Sequence, residues 1–243
     1  MYTVREMAQS DFLGAYRAVA ALGYPAVQPA GTGGLSAVEF KRALDDMGVT
    51  VAGNHVSLDA LETRLDDEIG YYLELGTPDL VISVIPQPRR QNLDGYLQVF
   101  DSMAKIGARC KELGARLHYH NHAFEFEKFD GVSALDTMFS RIPADLVKWE
   151  PDVYWVKVGG EDPAAMIRKY SGRTPIIHLK DMTAGESPTF AEVGEGILDW
   201  ESVFAASEAS GAQFYVVEQD RASRPPLEAA KMSLENLKKW GKL

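Results

Sequence analysis

Cysteine is nearly absent from the sequence, since Cys110 is the only one among 243 residues. One cysteine cannot form an intrachain disulfide, and such sparse use is typical of proteins in a reducing compartment. No apolar run approaches the roughly 20 residues of a membrane span, and Met1–Glu6 lacks the apolar stretch of a secretory signal. We therefore expect a cytoplasmic protein with no membrane partner, in which Cys110 is a buried structural thiol.

Positive charge is also scarce, with 25 Lys and Arg residues against 35 Asp and Glu residues and a formal net charge of −10. A surface with this balance repels phosphate backbones, so no nucleic acid partner is predicted. The chain also lacks a glycine-rich phosphate cradle of the P-loop type. The remaining composition, 46% hydrophobic and 25% charged, is ordinary for a soluble globular domain.

One sequence pattern recurs along the chain: an amphipathic segment ends in glycine, and an apolar run begins a few residues later. Glycine accepts the left-handed conformation that closes a helix, so the pattern indicates a helix followed at once by a strand. The six instances are centred on Gly23, Gly48, Gly76, Gly114, Gly172 and Gly211.

Extended to the whole chain, this pattern predicts eight strands alternating with eight helices. The strands are predicted near 1–4, 26–29, 50–55, 79–84, 115–121, 146–154, 174–179 and 213–218. The helices are predicted near 10–22, 36–47, 58–75, 93–113, 132–141, 163–171, 199–210 and 226–240. Such alternation implies a parallel sheet covered by helices. We predict an α/β fold, a (β/α)8 TIM barrel forming one domain over residues 1–243, with an open doubly wound sheet as the alternative.

Polar residues that can bind metals or protons gather at the predicted strand ends, where the functional sites of such barrels lie. All five histidines of the sequence fall in or just after a predicted strand: His55, His118, His120, His122 and His178. Three acids share this location, with Glu125 after strand five, Asp152 near the end of strand six and Glu218 at the end of strand eight.

Alternation along a strand decides which of these side chains share a face. It places His118, His120 and His122 together in strand five, Glu150 and Asp152 together in strand six, and His178 with Lys180 in strand seven. Strands five to eight can therefore each direct a donor at one central point. We predict a site for one divalent metal ion, Mn, Mg, Co or Zn. Glu150 is expected one layer deeper, as a partner of the ligands.

Taken together, several motifs resemble the sugar phosphate isomerase/epimerase family of xylose isomerase-like TIM barrels. Relatives in that family include inosose dehydratases, hydroxypyruvate isomerases and ketose 3-epimerases. The resemblance runs nearly end to end, and each motif is weak when taken singly. The motifs are Tyr2–Glu6, Gly48 with Asn54–Val56, Tyr119–Phe126, Asp152–Trp155, His178–Asp181, Val193–Trp200 and Val217–Asp220.

The resemblance implies that a metal is held by Asp152, His178, Glu218 and a residue after strand five. Many relatives carry Glu-Asn at the end of strand five, where this chain has His120-Asn121. The fourth ligand is then His120, or else Glu125 or Glu127 reaching back from the loop. We favour Glu125, because a second acid/base carboxylate is otherwise hard to find.

The chemistry that the resemblance implies is isomerisation or epimerisation of a sugar or keto-polyol, by proton abstraction next to a carbonyl through a metal-bound enediolate. Glu125, Glu218 and Lys180 are the predicted catalytic residues. The predicted substrate-binding residues are His55, His120, His122, Trp155 and Arg221. The expected partner is a small non-phosphorylated sugar or polyol, and assembly into a homo-oligomer stays open. A dehydratase or lyase would use the same site, because elimination of water begins with the same proton abstraction.

Two other classes remain as alternatives. Apurinic endonucleases share the fold, but their zinc cluster needs a histidine three residues after the strand-six Asp, where this chain has Trp155. A non-catalytic sugar-binding or accessory subunit is the second alternative, because His120 replaces the usual Glu.

Overall fold

The computed structural model describes residues 1–243 and consists of parallel wall strands surrounded by helices. The α-helices are Arg5–Ser10, Phe12–Leu22, Ala37–Met47, Leu58–Thr63, Leu65–Leu75, Leu93–Glu112, Ala134–Arg141, Val153–Val158, Pro163–Lys169, Trp200–Ala209 and Pro226–Lys239. Short 3-10 helices lie at Tyr2–Val4, Gln87–Arg89 and Phe124–Phe126. None of the helices combines the length and apolar composition that spanning a membrane requires.

The wall strands follow one another in chain order. They are Ala26–Val27, Thr50–Val51 continuing as Asn54–Val56, Asp79–Ile82, Arg116–His120, Val147–Glu150, Ile176–Leu179 and Phe214–Val217. Every hydrogen-bonded pairing between them is parallel. Two short antiparallel hairpins, Lys128–Phe129 with Val132–Ser133 and Asp181–Met182 with Phe190–Ala191, lie in the loops. The predicted TIM barrel class is confirmed.

The helix-closing glycines behave as the sequence predicts. All six glycines of the recurring sequence pattern have positive φ, from 69° at Gly48 to 102° at Gly76. At the other helix ends, side chains accept hydrogen bonds from the free backbone N–H groups, as Asp11 does from Gly14 and Ser36 from Glu39. These caps let each helix begin and end close to a strand.

The predicted first strand at residues 1–4 is wrong, because Tyr2–Val4 forms a 3-10 helix that leads into the helix Arg5–Ser10. This segment lies between the wall strands Phe214–Val217 and Ala26–Val27 and forms hydrogen bonds to residues next to both. The Met1 amino group donates to the Gln28 carbonyl at 2.9 Å, and Gln219 N–H donates to Thr3 Oγ1 at 3.0 Å.

The predicted sixth strand, 146–154, is too long. The strand ends at Glu150, and Asp152 becomes the N-cap of the helix Val153–Val158, accepting a hydrogen bond from Trp155 N–H at 3.0 Å. A carboxylate in this position stabilises the first turn of a helix. The apolar stretch after Asp152 is therefore helical, and Asp152 lies at the rim of the barrel.

Candidate active site

The ends of the parallel wall strands bring a group of polar side chains together inside the barrel rim. The group consists of His55, His120, Glu150, Asp152, His178, Lys180 and Glu218. All are buried except His55, which is half-buried. The strand register explains the proximity, because His120 pairs with Glu150 and Asp152 forms a bridge with His178.

Glu150 is the centre of the inner half of this group. Its Oε1 lies 3.0 Å from His55 Nε2, 3.1 Å from His120 Nδ1 and 3.0 Å from His178 Nε2. Its Oε2 accepts a hydrogen bond from Gln28 Nε2 at 2.7 Å. The predicted place of Glu150, one layer below the rim and in contact with metal-ligand candidates, agrees with this geometry.

Lys180 is the centre of the outer half. Its Nζ lies 2.9 Å from Asp152 Oδ2, 2.7 Å from Glu218 Oε1 and 2.8 Å from Asp220 Oδ1. Burial by itself would lower the pKa of Lys180, but the three carboxylates outweigh burial and raise the pKa well above its ordinary value. Lys180 is therefore a buried ammonium at neutral pH.

Between the two halves, nitrogen and oxygen atoms face one another without being hydrogen-bonded. His120 Nε2 lies 3.6 Å from Asp152 Oδ2, and His178 Nδ1 lies 3.9 Å from Glu218 Oε2. His178 Nδ1 is buried and has no hydrogen-bond partner. An unpaired buried nitrogen beside carboxylates suits a site that a cation completes.

A second donor arrangement overlaps the first. His55, His120, Glu150 and His178 each offer one ligand atom, and these four atoms lie within 4.8 Å of one another. A His/Glu cluster of this kind is able to bind a metal ion. Two of its members, His120 and His178, also face the carboxylates of the outer half, so each ring can present either nitrogen.

The electrostatics of the group favour charged carboxylates beside the imidazoles. Burial by itself would raise the pKa of Glu150 and Glu218, but the charge of His178 and, for Glu218, that of Lys180 hold both well below their ordinary values. Burial, aided by the charge of His178, lowers the pKa of His120 well below its ordinary value. The pKa of Asp152 is raised, because burial outweighs the nearby Lys180.

A cleft of about 1050 Å³ opens above these residues, which is ample for a monosaccharide-sized ligand and at the upper limit of the usual size of ligand sites. Its polar lining includes His55, His120, His122, Glu218 and Arg221, and Trp155 with Phe190 forms an aromatic side. The ring of His122 stacks on Phe124 and lies 5.5 Å from the ring of Trp155. All five residues predicted to bind substrate therefore line one cleft.

Glu125 is the predicted site residue that the structure does not bring to this group. It lies in the 3-10 helix Phe124–Phe126, where Oε1 accepts from the Tyr119 hydroxyl and Oε2 from His122 N–H at 2.8 Å. Both oxygens are thus occupied in holding the loop. Burial raises the pKa of Glu125 to about 7. The geometry argues against Glu125 as the fourth ligand and leaves His120, the alternative left open by the sequence, in that position.

Two residues of the site were not expected from the sequence. Gln28 contacts both Glu150 and His178, and Asp220 contacts Lys180. Gln28 is a polar residue in an otherwise apolar predicted strand, which is a signal that could have found it. Asp220 lies two residues beyond Glu218, on the same face by strand alternation.

A family model described as xylose isomerase-like TIM barrel matches residues 16–240 of this chain. Among curated proteins, the inosose dehydratase of Geobacillus kaustophilus is 24% identical over 258 residues, covering 89% of this chain and 83% of that protein. The inosose dehydratase of Lacticaseibacillus casei is 23% identical over 156 residues, covering 56% of this chain and 52% of that protein. The match therefore spans about half the length of the latter relative.

Solved structures show the same fold. A sugar phosphate isomerase/epimerase from Parabacteroides distasonis superposes with a TM-score of 0.83 at 22% identity, covering 98% of this chain and 95% of that one. Identity at this level supports a common architecture.

Proposed function

The chain belongs to the family of xylose isomerase-like TIM barrels, and from this premise we propose that it is a divalent-metal-dependent enzyme that moves a proton next to the carbonyl of a keto-sugar or keto-polyol. The observation that carries the proposal is the facing of His120 Nε2 and His178 Nδ1 towards Asp152 and Glu218 beneath an open cleft. Isomerisation and epimerisation both proceed through such a proton transfer.

The residues present fit a divalent cation. His120, Asp152, His178 and Glu218 would hold it, and the buried, unpaired His178 Nδ1 is the atom that most needs such a partner. Two imidazoles with two carboxylates suit Mn, Co or Zn better than Mg, which prefers oxygen ligands and water. When bound, the metal supplies Lewis-acid polarisation of the substrate carbonyl.

Glu218 is the proposed proton-transfer residue, and Lys180 is the proposed hydrogen-bond donor beside it. Glu218 is a carboxylate at neutral pH, so it can take a proton from the carbon next to the carbonyl. Lys180 is an ammonium 2.7 Å from Glu218, so it can donate a hydrogen bond to the oxygen on which negative charge develops. General acid/base help of this kind contributes on the order of 10²–10⁴-fold to the rate.

Dehydration is the second candidate, and the inosose dehydratase relatives favour it. After the same proton abstraction, loss of a hydroxide from the neighbouring carbon gives water and an unsaturated ketone. The hydroxide needs a proton donor in the cleft, and His55 lines it, whereas burial lowers the pKa of His122 to about 4 and makes that ring a poor acid. The first chemical step and the metal site are the same in both proposals.

The test is proton exchange in deuterated water. The protein, loaded in turn with Mn, Co and Zn, is incubated with a panel of ketoses and inososes, and the products are followed by NMR. Deuterium incorporation into a product that has lost no water indicates an isomerase or epimerase, whereas loss of water, seen as an alkene or 1,2-diketone signal, indicates a dehydratase. Substrate binding without any exchange would contradict the enzyme and support a sugar-binding protein.

A matched pair of variants assigns the activity to the site. Glu218→Gln should lower the exchange rate at least about 10²-fold, because the amide cannot accept the proton. Glu195→Gln makes the same chemical change in an exposed loop residue outside the cleft and should leave the rate unchanged. Equal rates for the two variants would remove Glu218 from the mechanism.

A further inference from the structure

We propose that Glu150 and Gln28 are positioning residues that select which ring nitrogen of His120 and His178 binds the metal. The selected atoms are His120 Nε2 and His178 Nδ1. This inference rests on the metal site of the proposed function and adds the atoms by which that site is built. It also decides between the two overlapping donor arrangements.

The first step is the orientation of the Gln28 side-chain amide. Its Nε2 lies 3.1 Å from the Ala52 carbonyl and 2.7 Å from Glu150 Oε2, and both of these atoms only accept. The amide nitrogen must therefore face them, since an amide oxygen there would oppose two acceptors. This leaves Gln28 Oε1, an acceptor, 2.6 Å from His178 Nε2.

The second step follows for His178. Its Nε2 faces two acceptors, Gln28 Oε1 at 2.6 Å and Glu150 Oε1 at 3.0 Å. That nitrogen must carry the proton, because a lone pair there would face two oxygens. The nitrogen left for a metal is then Nδ1, whose proton in the charged ring a bound cation would replace. Nδ1 is the buried atom that lacks a hydrogen-bond partner and lies 3.9 Å from Glu218 Oε2.

The same reasoning applies to His120 with one partner fewer. His120 Nδ1 lies 3.1 Å from Glu150 Oε1, so it donates, and its lone pair is on Nε2, which faces Asp152. His55 also directs a nitrogen, Nε2, at Glu150 Oε1. One charged oxygen thus sets the proton position in three rings, as carboxylates behind metal-bound histidines commonly do.

The inner arrangement of His55, His120, Glu150 and His178 conflicts with this network. A metal bound among the ring nitrogens that surround Glu150 Oε1 would need a lone pair on His178 Nε2, which would then face Gln28 Oε1 at 2.6 Å. It would also leave His178 Nδ1 buried without a partner. A site formed by His120, Asp152, His178 and Glu218 satisfies both atoms, so it is the one that the network supports.

The decisive measurement identifies the coordinating nitrogens by NMR. The protein is labelled with ¹⁵N in its histidines, loaded with Zn, and examined through the couplings of each ring nitrogen to the ring protons. We expect a coordination shift at Nδ1 of His178 and at Nε2 of His120, with the opposite nitrogen of each ring protonated. A coordination shift at His178 Nε2, or at His120 Nδ1, would overturn the inference while leaving metal binding intact. A protein that takes up no Zn, Mn or Co would overturn the proposed function instead.

Metal affinity gives an independent test. Glu150→Gln should weaken Zn and Mn binding by about 10–100-fold in calorimetric titrations, the usual effect of losing a carboxylate behind a ligand. Gln28→Met should weaken binding less, because His178 Nε2 keeps Glu150 as an acceptor. In the Zn-bound Glu150→Gln protein, nitrogen selection should become mixed in His120 and stay with Nδ1 in His178.

The matched control is Asp79→Asn. Asp79 is also a buried carboxylate that accepts from an imidazole, His118 Nε2 at 2.7 Å, together with Arg116. It forms no hydrogen bond or ion pair with Glu150, Gln28 or the proposed ligands, so its replacement should leave metal affinity within about threefold. Equal affinity losses in Asp79→Asn and Glu150→Gln would show a general effect of structural damage, and unchanged affinity in Glu150→Gln would show that Glu150 positions nothing.

Discussion

Glu150 and Asp181 are both completely buried carboxylates, and they differ in what surrounds them. Glu150 accepts only from side chains, namely three imidazoles and the amide of Gln28. Asp181 accepts mainly from backbone N–H groups within 3.2 Å. Its donors are the N–H groups of Met182, Gly194, Gly196 and Leu198 and the indole of Trp200.

This difference indicates two roles. Asp181 stabilises the loop that forms part of the cleft wall, whereas Glu150 orients the side chains of the proposed metal site. The donors of Asp181 come from both ends of the loop 182–200, so the carboxylate holds the loop that brings Thr189 and Phe190 to the cleft. The packing is so close that a Cβ on Gly196 would lie 2.2 Å from Asp181 Oδ1. Backbone donors cannot turn away without unfolding the loop, whereas imidazoles can rotate or move a proton.

The largest expected effect is that of Asp181→Ala. Removing the carboxylate leaves four backbone N–H groups and an indole unpaired, so the free energy of unfolding should fall by about 3–5 kcal/mol. Urea denaturation in the presence of a chelator measures it. The folded protein should bind metal with nearly wild-type affinity. Loss of metal binding in a folded Asp181→Ala protein would break the distinction between the two carboxylates.

The sequence predicts the two carboxylates unequally well, for a physical reason. Strand alternation and the resemblance find Asp152, His178 and Glu218, and place Glu150 behind them, because these positions depend on local periodicity and on neighbouring parallel strands. The role of Asp181 depends on backbone groups up to 17 residues further along the chain, at Leu198. No residue type marks such a convergence, so the sequence alone does not show it.

The structure differs from expectation in the first strand, in the length of the sixth strand and in where Glu125 points, and the first and last of these have a related cause. Glu125 is of the right type and near the right strand end, but the 3-10 helix Phe124–Phe126 turns it towards Tyr119. Residues 1–4 have the composition of a short strand, yet their backbone makes no ladder. In both segments, tertiary contacts decide a conformation that local sequence leaves open.

Glu125 is an intermediate case, because one of its oxygens accepts from a side chain and the other from the backbone. Burial raises its pKa from 4.5 to about 7 in the folded protein. Its contribution to stability is therefore fully present below about pH 4.5 and is lost as the pH rises through 7. At about 1.4 kcal/mol per pKa unit, this loss amounts to about 3 kcal/mol across the window.

Glu125→Gln should remove this slope. The amide does not titrate, and it still satisfies both partners, accepting from His122 N–H and donating to the Tyr119 hydroxyl oxygen. The difference in free energy of unfolding between wild type and variant, measured by urea denaturation from pH 4.5 to pH 8, should therefore change steadily in favour of the variant. A constant difference would mean that Glu125 ionises normally. A loss of metal binding would restore the prediction that Glu125 is a ligand.

The smallest expected effect on stability is that of Glu150→Gln in the metal-free protein, about 1–2 kcal/mol. The amide oxygen can still accept from the imidazoles, and Gln28 and the three histidine rings can turn or move protons to pair with what remains. The same change should have its main effect on metal affinity, in contrast to Asp181→Ala. Urea denaturation of both variants, each with a chelator and with Zn, measures how far each change affects stability and how far it affects metal binding. If Glu150→Gln lowers the free energy of unfolding of the metal-free protein as much as Asp181→Ala does, then Glu150 has a structural role like that of Asp181. Hydrogen-bond donors that were free to rearrange around Glu150 would have limited that loss.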